Sequence, residues 1–274
     1  MRIKREFKTP NRIVELFRNI EIINSAVRSG KNSVNFNHVD WVTPLSVLPL
    51  AAHLSKNNMS VNFNFDNEKA KSFLINNLKF PGGHVDPYFD TTNVPICKIH
   101  SNYKQLLTNF ESNLLRSINV DCLTTPIKLL TAELEANVGD HSNEDHYWLH
   151  AQYYPKTKNC EICLADTGIG IKNSYVGTAH ETKTHEAAVL KAITGVSSKT
   201  IERGSGIPTI IKLFTKGLKG EFMLMSGDCA IYIYHKKGIS YELPFEWGGT
   251  VAFIKFPIPR SARALAFDYT KYIK

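Results

Sequence analysis

The sequence predicts an α+β fold: a small α/β module, then a two-layer α/β sandwich with helices on one face of a mixed sheet. Three observations predict it. Helical apolar spacing governs residues 103–138, and strand patterns crowd the region after residue 220. Ahead of both regions, FPGGHVDPYFDTTNVP (80–95) is dense in Gly, Pro and Asp and breaks both periodicities, which sets a domain boundary there. The expected domains are therefore residues 1–90 and 96–274.

In the first domain, SVNFNHVDWV reads as a strand entering a turn. Leu45, Leu48, Pro49 and Ala52 follow at helical spacing, and SVNFNF alternates as a second strand. A helix beginning at Asp66 carries Ala70, Phe73, Leu74 and Leu78 on one stripe. In the second domain, Leu106, Leu107, Phe110, Leu114 and Leu115 mark a helix over 103–118. Thr125-Pro126 reads as an N-cap followed by proline at the first position of the next helix. YWLHAQYY and EICLAD are strands, PTIIKLF a helix, and EFMLMS, CAIYIY, ISYEL and TVAFIKF strands, with a hairpin turn expected at Ser226-Gly227-Asp228.

Composition bounds the function. An apolar fraction of 43% with 21% charged residues is ordinary for a globular protein, and no run approaches the ~18 apolar residues of a membrane span. The basic N-terminus leads into no apolar stretch of the secretory type, so a cytoplasmic location is the expectation. The five cysteines form no framework. Cys160 and Cys163 are a lone C-x-x-C without a second ligand pair, which reads as two reduced cysteines and not a zinc site. The net charge of +8 suits acidic partners, but Lys and Arg are scattered along the chain. A generally basic surface accounts for that better than a nucleic-acid site.

Four segments carry chemistry. In TAELEANVGDHS (131–142), Ile127, Leu130, Leu134 and Val138 form the buried stripe of the helix. Glu133 and Asn137 share a neighbouring face, and Asp140 lies one turn on. A carboxylate and a carboxamide so placed can activate a water and complete an oxygen shell around magnesium; taken alone, a solvated helix edge is the plainer account. In LADTGIGI (164–171) an apolar strand ends in Asp166, a carboxylate able to accept from an exocyclic amine. Gly168 and Gly170 there allow a sharp turn and close approach to a planar ligand. In ERGSGIPTIIKLF (202–214), Gly204 and Gly206 approach a helix start near Ile207-Pro208, where unpaired N–H groups suit phosphate. Lys199 and Arg203 could add charge to the same anion. In WGGTVAFIKFPI (247–258) a strand opens with Gly248-Gly249-Thr250, whose hydroxyl could bond near a base held by Asp166.

In this order the four segments resemble the motifs of the GHKL ATPase superfamily, which includes gyrase B, Hsp90, sensor histidine kinases and MutL. ELEAN resembles its N-box, DTGIGI its G1 box, GSGI its G2 box and GGTVAF its last strand motif. The resemblance implies a Bergerat fold binding ATP with Mg2+. It implies Glu133 as general base, Asn137 as the magnesium ligand and Asp166 as the adenine reader. Gly168, Ile169, Gly170 and Ile171 would shape the base pocket, with Asp140 and His141 beside it. Gly204, Ser205, Gly206 and Ile207 would face the phosphates, below a mobile lid over 172–203, and Thr250 would support the base. Glu135 and Ile207 depart from the commoner residues of the N-box and G2 box.

The texture is similar to prokaryotic sensor-kinase and anti-sigma-factor ATPases, and the N-terminal module resembles a STAS-like domain. Thr43 and Ser46 are the only candidates there for a phosphorylatable residue, and a helix cap is the simpler role for Thr43. The implied function is a Mg-ATP-binding regulatory protein with slow ATPase or protein-kinase activity, acting on a protein partner or phospho-acceptor. The alternative is a nucleotide-gated binding switch without turnover. Homodimers are common in the resembling families. A paired-helix segment with an acceptor histidine is lacking, which disfavours a full histidine-kinase role.

Overall fold

A computed structural model describes residues 3–5, 11–36, 42–64, 67–81, 92–100, 104–141, 146–196, 206–234, 237–259 and 268–272. The chain is α+β. β1 (Ile3–Arg5), α1 (Asn11–Arg28), β2 (Ser33–Phe36), α2 (Pro44–Lys56), β3 (Ser60–Phe63) and α3 (Glu68–Ser72) come first. β4 (Asn93–His100), α4 (Lys104–Ile118), α5 (Thr124–His141), β5 (His146–Tyr154) and β6 (Asn159–Ala165) follow. α6 (Gly170–Ser174), α7 (His185–Thr194), α8 (Gly206–Ile211), β7 (Glu221–Tyr234) and β8 (Lys237–Pro257) complete the main elements. α3 and α8 each run on into a wider π-type turn.

One six-stranded sheet organises the molecule, in the order β1-β8-β6-β5-β4 with β7 on the other side of β8. Every pairing in it is antiparallel except β1 with β8, where Ile3–Arg5 run parallel to Gly238–Ser240. β8 is the spine. Its second half pairs with β6 on one side and β7 on the other, and its first half with β1 and β7.

Alternation splits each strand between two cores. Ala252, Ile254 and Phe256 of β8 face α4, α5, α7 and α8, beside Phe110, Leu130, Val189 and Phe214. Val251 and Phe253 face the other way, toward Leu16 and Ile20 of α1 and Leu48 and Leu54 of α2. The helices of residues 104–217 thus occupy one face, as the two-layer reading expects. The N-terminal module adds a third layer on the opposite face. Its own β2 and β3 form a separate parallel pair.

Three elements differ from the sequence reading. α1 is an additional helix, whose Ile13, Leu16, Phe17, Ile20 and Ile23 are all buried. Ser226-Gly227-Asp228 is not a hairpin turn, because β7 runs through it. The register with β8 shifts on both sides of Gly227, and the side-chain phase changes with it. Phe222 and Leu224 face the α4–α5 core before the shift, and Cys229 and Ile231 after it. β8 is likewise one strand, so Thr250 lies in its middle and not at its start. A smaller difference concerns Thr125, which lies inside α5 behind a 3₁₀ turn at Asp121–Leu123 and is not its N-cap. No helix among the described residues is long and apolar enough to cross a membrane.

Cys160 and Cys163 face opposite cores, Cys160 the α4–α5 side and Cys163 the α1–α2 side, so this C-x-x-C can neither chelate nor close a disulfide. Two histidines are held neutral, His150 fully buried and His53 half-buried. His150 donates from Nδ1 to the Val94 carbonyl at 2.5 Å, and burial holds its pKa down at about 4. His53 is also held at about 4, by burial and then by the charge of Lys56. Both native pKa values lie below the unfolded value of 6.5, so the unfolded chain takes up more protons between pH 6.5 and 4. Stability is complete above pH 6.5 and falls as pH drops. The expected loss from His150 alone is about 2 kcal/mol by pH 5. Urea unfolding checks it: a midpoint unchanged from pH 7 to pH 5 contradicts the buried neutral state.

Candidate functional site

α5 packs its stripe of Ile127, Leu130, Leu134 and Val138 into the core beneath the sheet. That fixes the adjoining polar row at the edge of the helix layer. Glu133, half-buried, accepts the Gly206 N–H on Oε1 at 3.1 Å, joining α5 to the start of α8 across 73 residues. Asn137, one turn on, has a buried Nδ2 with no hydrogen-bond partner among the described residues. A buried amide without a partner is uncommon, and its O and N are interchangeable by rotation. Asp140 and His141 belong to the last turn of α5, and their side chains lie outside the described ones.

Across from α5, β6 delivers Asp166 to the end of the sheet. Asp166 is 3% exposed. Its N–H donates to the Thr250 carbonyl at 2.9 Å, which extends the β6–β8 ladder by one bond. Its Oδ1 accepts the Gly168 N–H at 2.9 Å, an Asx-type turn that bends the chain out of the strand. Gly170 then takes φ +75°, where a Cβ would meet Ser226 Oγ at 2.9 Å. Ser226 Oγ accepts the Ile171 N–H at 2.9 Å and donates to the Gly249 carbonyl at 2.8 Å. Gly249 is required for a different reason: a Cβ there would lie 2.2 Å from Asp166 O and 2.6 Å from Asp166 Oδ1. Two backbones meet where no side chain fits. Ile171 is buried and Ile169 is 41% exposed.

The structure therefore brings together Glu133 with Gly206, and Asp166, Gly168, Gly170 and Ile171 with Thr250. α5 packs against both α6 and α8, which links the two groups. Thr250 joins through its backbone carbonyl. Ile207 follows Gly206 in α8 and packs against the core. Lys199, Arg203, Gly204 and Ser205 lie outside the described residues.

Much of the segment read as a lid is helical. α7 is capped by Thr184, whose hydroxyl accepts the Ala187 N–H, and ends on Gly195 at φ +93°. Ala188, Val189 and Ile193 hold α7 on the sheet. Its first residue, His185, lies against Gly227 and reaches Glu246 Oε1 at 3.0 Å.

Sequence reasoning missed Ser226, His185, Trp247 and Lys56. Trp247, buried in β8, donates Nε1–H to the Asp166 carbonyl at 3.1 Å. Lys56 donates to the Thr167 carbonyl at 2.6 Å. Trp247 was legible as a bulky residue beside the glycine pair; nothing in the local pattern marked the others. Thr43 and Ser46 are both buried and cap α2 reciprocally, Ser46 N–H to Thr43 Oγ1 and Thr43 N–H to Ser46 Oγ. Neither hydroxyl is presented for phosphorylation.

Among the described residues, no group of three or more His, Cys, Asp or Glu side chains is placed to hold a metal ion. Comparison of the chain with family models, with curated proteins and with solved structures finds no match.

Proposed function

We propose that the chain is a Mg-ATP-binding regulatory protein of the GHKL type, with slow ATPase or protein-kinase activity. The observation that carries the reading is the Glu133–Gly206 hydrogen bond. It joins the N-box-like and G2-like segments, 73 residues apart in sequence, at one edge of the helix layer. The Asp166–Thr250 bond does the same for the G1-like turn and the last strand motif. Segments read separately thus meet in two linked pairs, and that supports the reading.

In this reading Asp166 accepts the adenine amine and Glu133 orients the attacking water or acceptor. Asn137 supplies the protein's oxygen to magnesium. A magnesium that keeps waters and phosphate oxygens needs no carboxylate cluster, and the Asn137 amide, whose buried Nδ2 has no partner among the described residues, could turn its oxygen to such an ion. Calorimetric titration with Mg-ATP tests the reading, with micromolar binding as the expected result. Failure to bind ATP and ADP overturns it. Asn137→Ala is expected to remove the magnesium dependence of binding.

A second reading is a nucleotide-gated switch that binds a protein partner without turnover, and one observation favours it. One Glu133 oxygen is taken up by the Gly206 N–H, which leaves less of the carboxylate for a nucleophile. Glu133→Gln separates the two. For an enzyme, phosphate release falls by ~10²-fold or more; for a switch, ATP binding and ATP-dependent protection of residues 172–203 are unchanged.

A further inference from the structure

α2 enters under the sheet with its N-terminal capping box buried and its flank packed on β5 and β6. Its last turn therefore arrives beside the Asp166–Ile171 turn. Two side chains there, His53 and Lys56, are three residues apart and share a face. His53 Nε2 lies 2.6 Å from Asn24 Oδ1 of α1, and its ring centroid is 5.6 Å from that of Trp247. Trp247 holds the Asp166 carbonyl. Lys56 extends past Gly248, where a Cβ would come within 3.0 Å of its Nζ, and holds the Thr167 carbonyl at 2.6 Å. Consecutive carbonyls of the turn are thus gripped by a β8 side chain resting on the N-terminal module and by a side chain of that module itself.

Other bonds of the turn are local or come from the neighbouring strands, as Asp166 Oδ1 with the Gly168 N–H and Ser226 Oγ with the Ile171 N–H do. Lys56 differs from them: it reaches across 111 residues with a charge-assisted bond from a separate layer of the fold. Lys56 is itself exposed, so water and the last carbonyls of α2 would serve it. Its ammonium is nonetheless directed at the residue after the buried carboxylate.

The geometry points to Lys56 as a positioning residue for the base-reading turn, through which the N-terminal module sets discrimination for nucleotides bearing an exocyclic amine. This rests on the nucleotide reading of Asp166. Holding the Thr167 carbonyl fixes the Thr167–Gly168 peptide, whose N–H bonds Asp166 Oδ1, and with it the direction of the carboxylate. A shift of α1 and α2, as on binding a partner, would release that peptide and lower affinity for an adenine nucleotide. Affinity for the same triphosphate without the amine would not change.

Calorimetry of wild type, Lys56→Met and Lys56→Arg with Mg-ATP and with magnesium purine riboside triphosphate, which has only hydrogen in place of the amine, tests it, with thermal unfolding alongside. Lys56→Met is expected to weaken ATP binding about tenfold, with binding of the purine analogue unchanged and the unfolding temperature within about 2 °C. Lys56→Arg restores most of the ATP affinity. Wild-type ATP affinity in Lys56→Met, or equal weakening of ATP and the analogue, overturns the inference and leaves the nucleotide reading standing. If wild type binds neither triphosphate, the nucleotide reading falls and the inference with it.

Discussion

Asp166→Asn is expected to lower ATP affinity more than 100-fold while the protein stays folded. The substitution keeps size and shape. The carbonyl oxygen of the new side-chain amide accepts the Gly168 N–H as Asp166 Oδ1 does at 2.9 Å, so the turn persists. What changes is the other atom, an acceptor replaced by an NH2 donor. In the proposed nucleotide reading it faces the adenine amine, which sets two donors against each other at a residue only 3% exposed. Buried sites built to pair a specific polar group reject the unpaired combination by factors of ~10⁴. Calorimetry measures the loss and circular dichroism the retained fold. Binding within threefold of wild type would show that Asp166 does not read the base.

Gly249→Ala is expected to destabilise the fold by about 3 kcal/mol and to abolish nucleotide binding with it. The added Cβ would fall 2.2 Å from Asp166 O, a backbone atom with no rotamer to change. Relief requires β6 and β8 to separate where Asp166 N–H bonds Thr250 O. It also requires Ser226 to lose its grip on the Gly249 carbonyl. Gly30→Ala is the control, since its Cβ meets nothing within 4 Å and only the φ of +66° is strained, costing about 1 kcal/mol. Urea unfolding of the two variants gives the comparison. Equal, small losses would mean that the close approach at Gly249 carries no weight.

The alternating and helical stripes of β2, α2, β3, α4, β5 and β6 were legible because each element buries a face with a simple period. α1 carried the same kind of signal at Ile13, Leu16, Phe17, Ile20 and Ile23, and a search for apolar positions three and four apart finds it. β7 and β8 were read as four strands because Ser226-Gly227-Asp228 and Gly248-Gly249 are strong turn signals. Their glycines serve other ends, a register shift in β7 and a backbone approach in β8, and no local rule separates these from a turn. The third layer was half-legible. Runs such as TVAFIKF and ICLA lack the polar alternation of a half-solvated sheet, which says that both faces are covered without saying by what. The site followed the same division. Asp166, Gly170 and Gly206 stand in recognisable strings, whereas Lys56 lies 111 residues from its partner and could be found only in three dimensions.

The pairing of β1 with β8 has a consequence for how the protein is made. Residues 3–5 leave the ribosome more than 200 residues before their strand partner, 238–240. Until then the α1–α2 layer, with Leu16, Ile20, Leu48 and Leu54, has no Val251, Phe253 or Trp247 to close on. At roughly 5–20 residues per second the wait is on the order of ten seconds or more. Contacts this distant in sequence also form slowly once both ends exist. A nascent chain of this design is a natural client for chaperones that shield apolar helices, since before residue 221 only β4, β5 and β6 offer that face any cover.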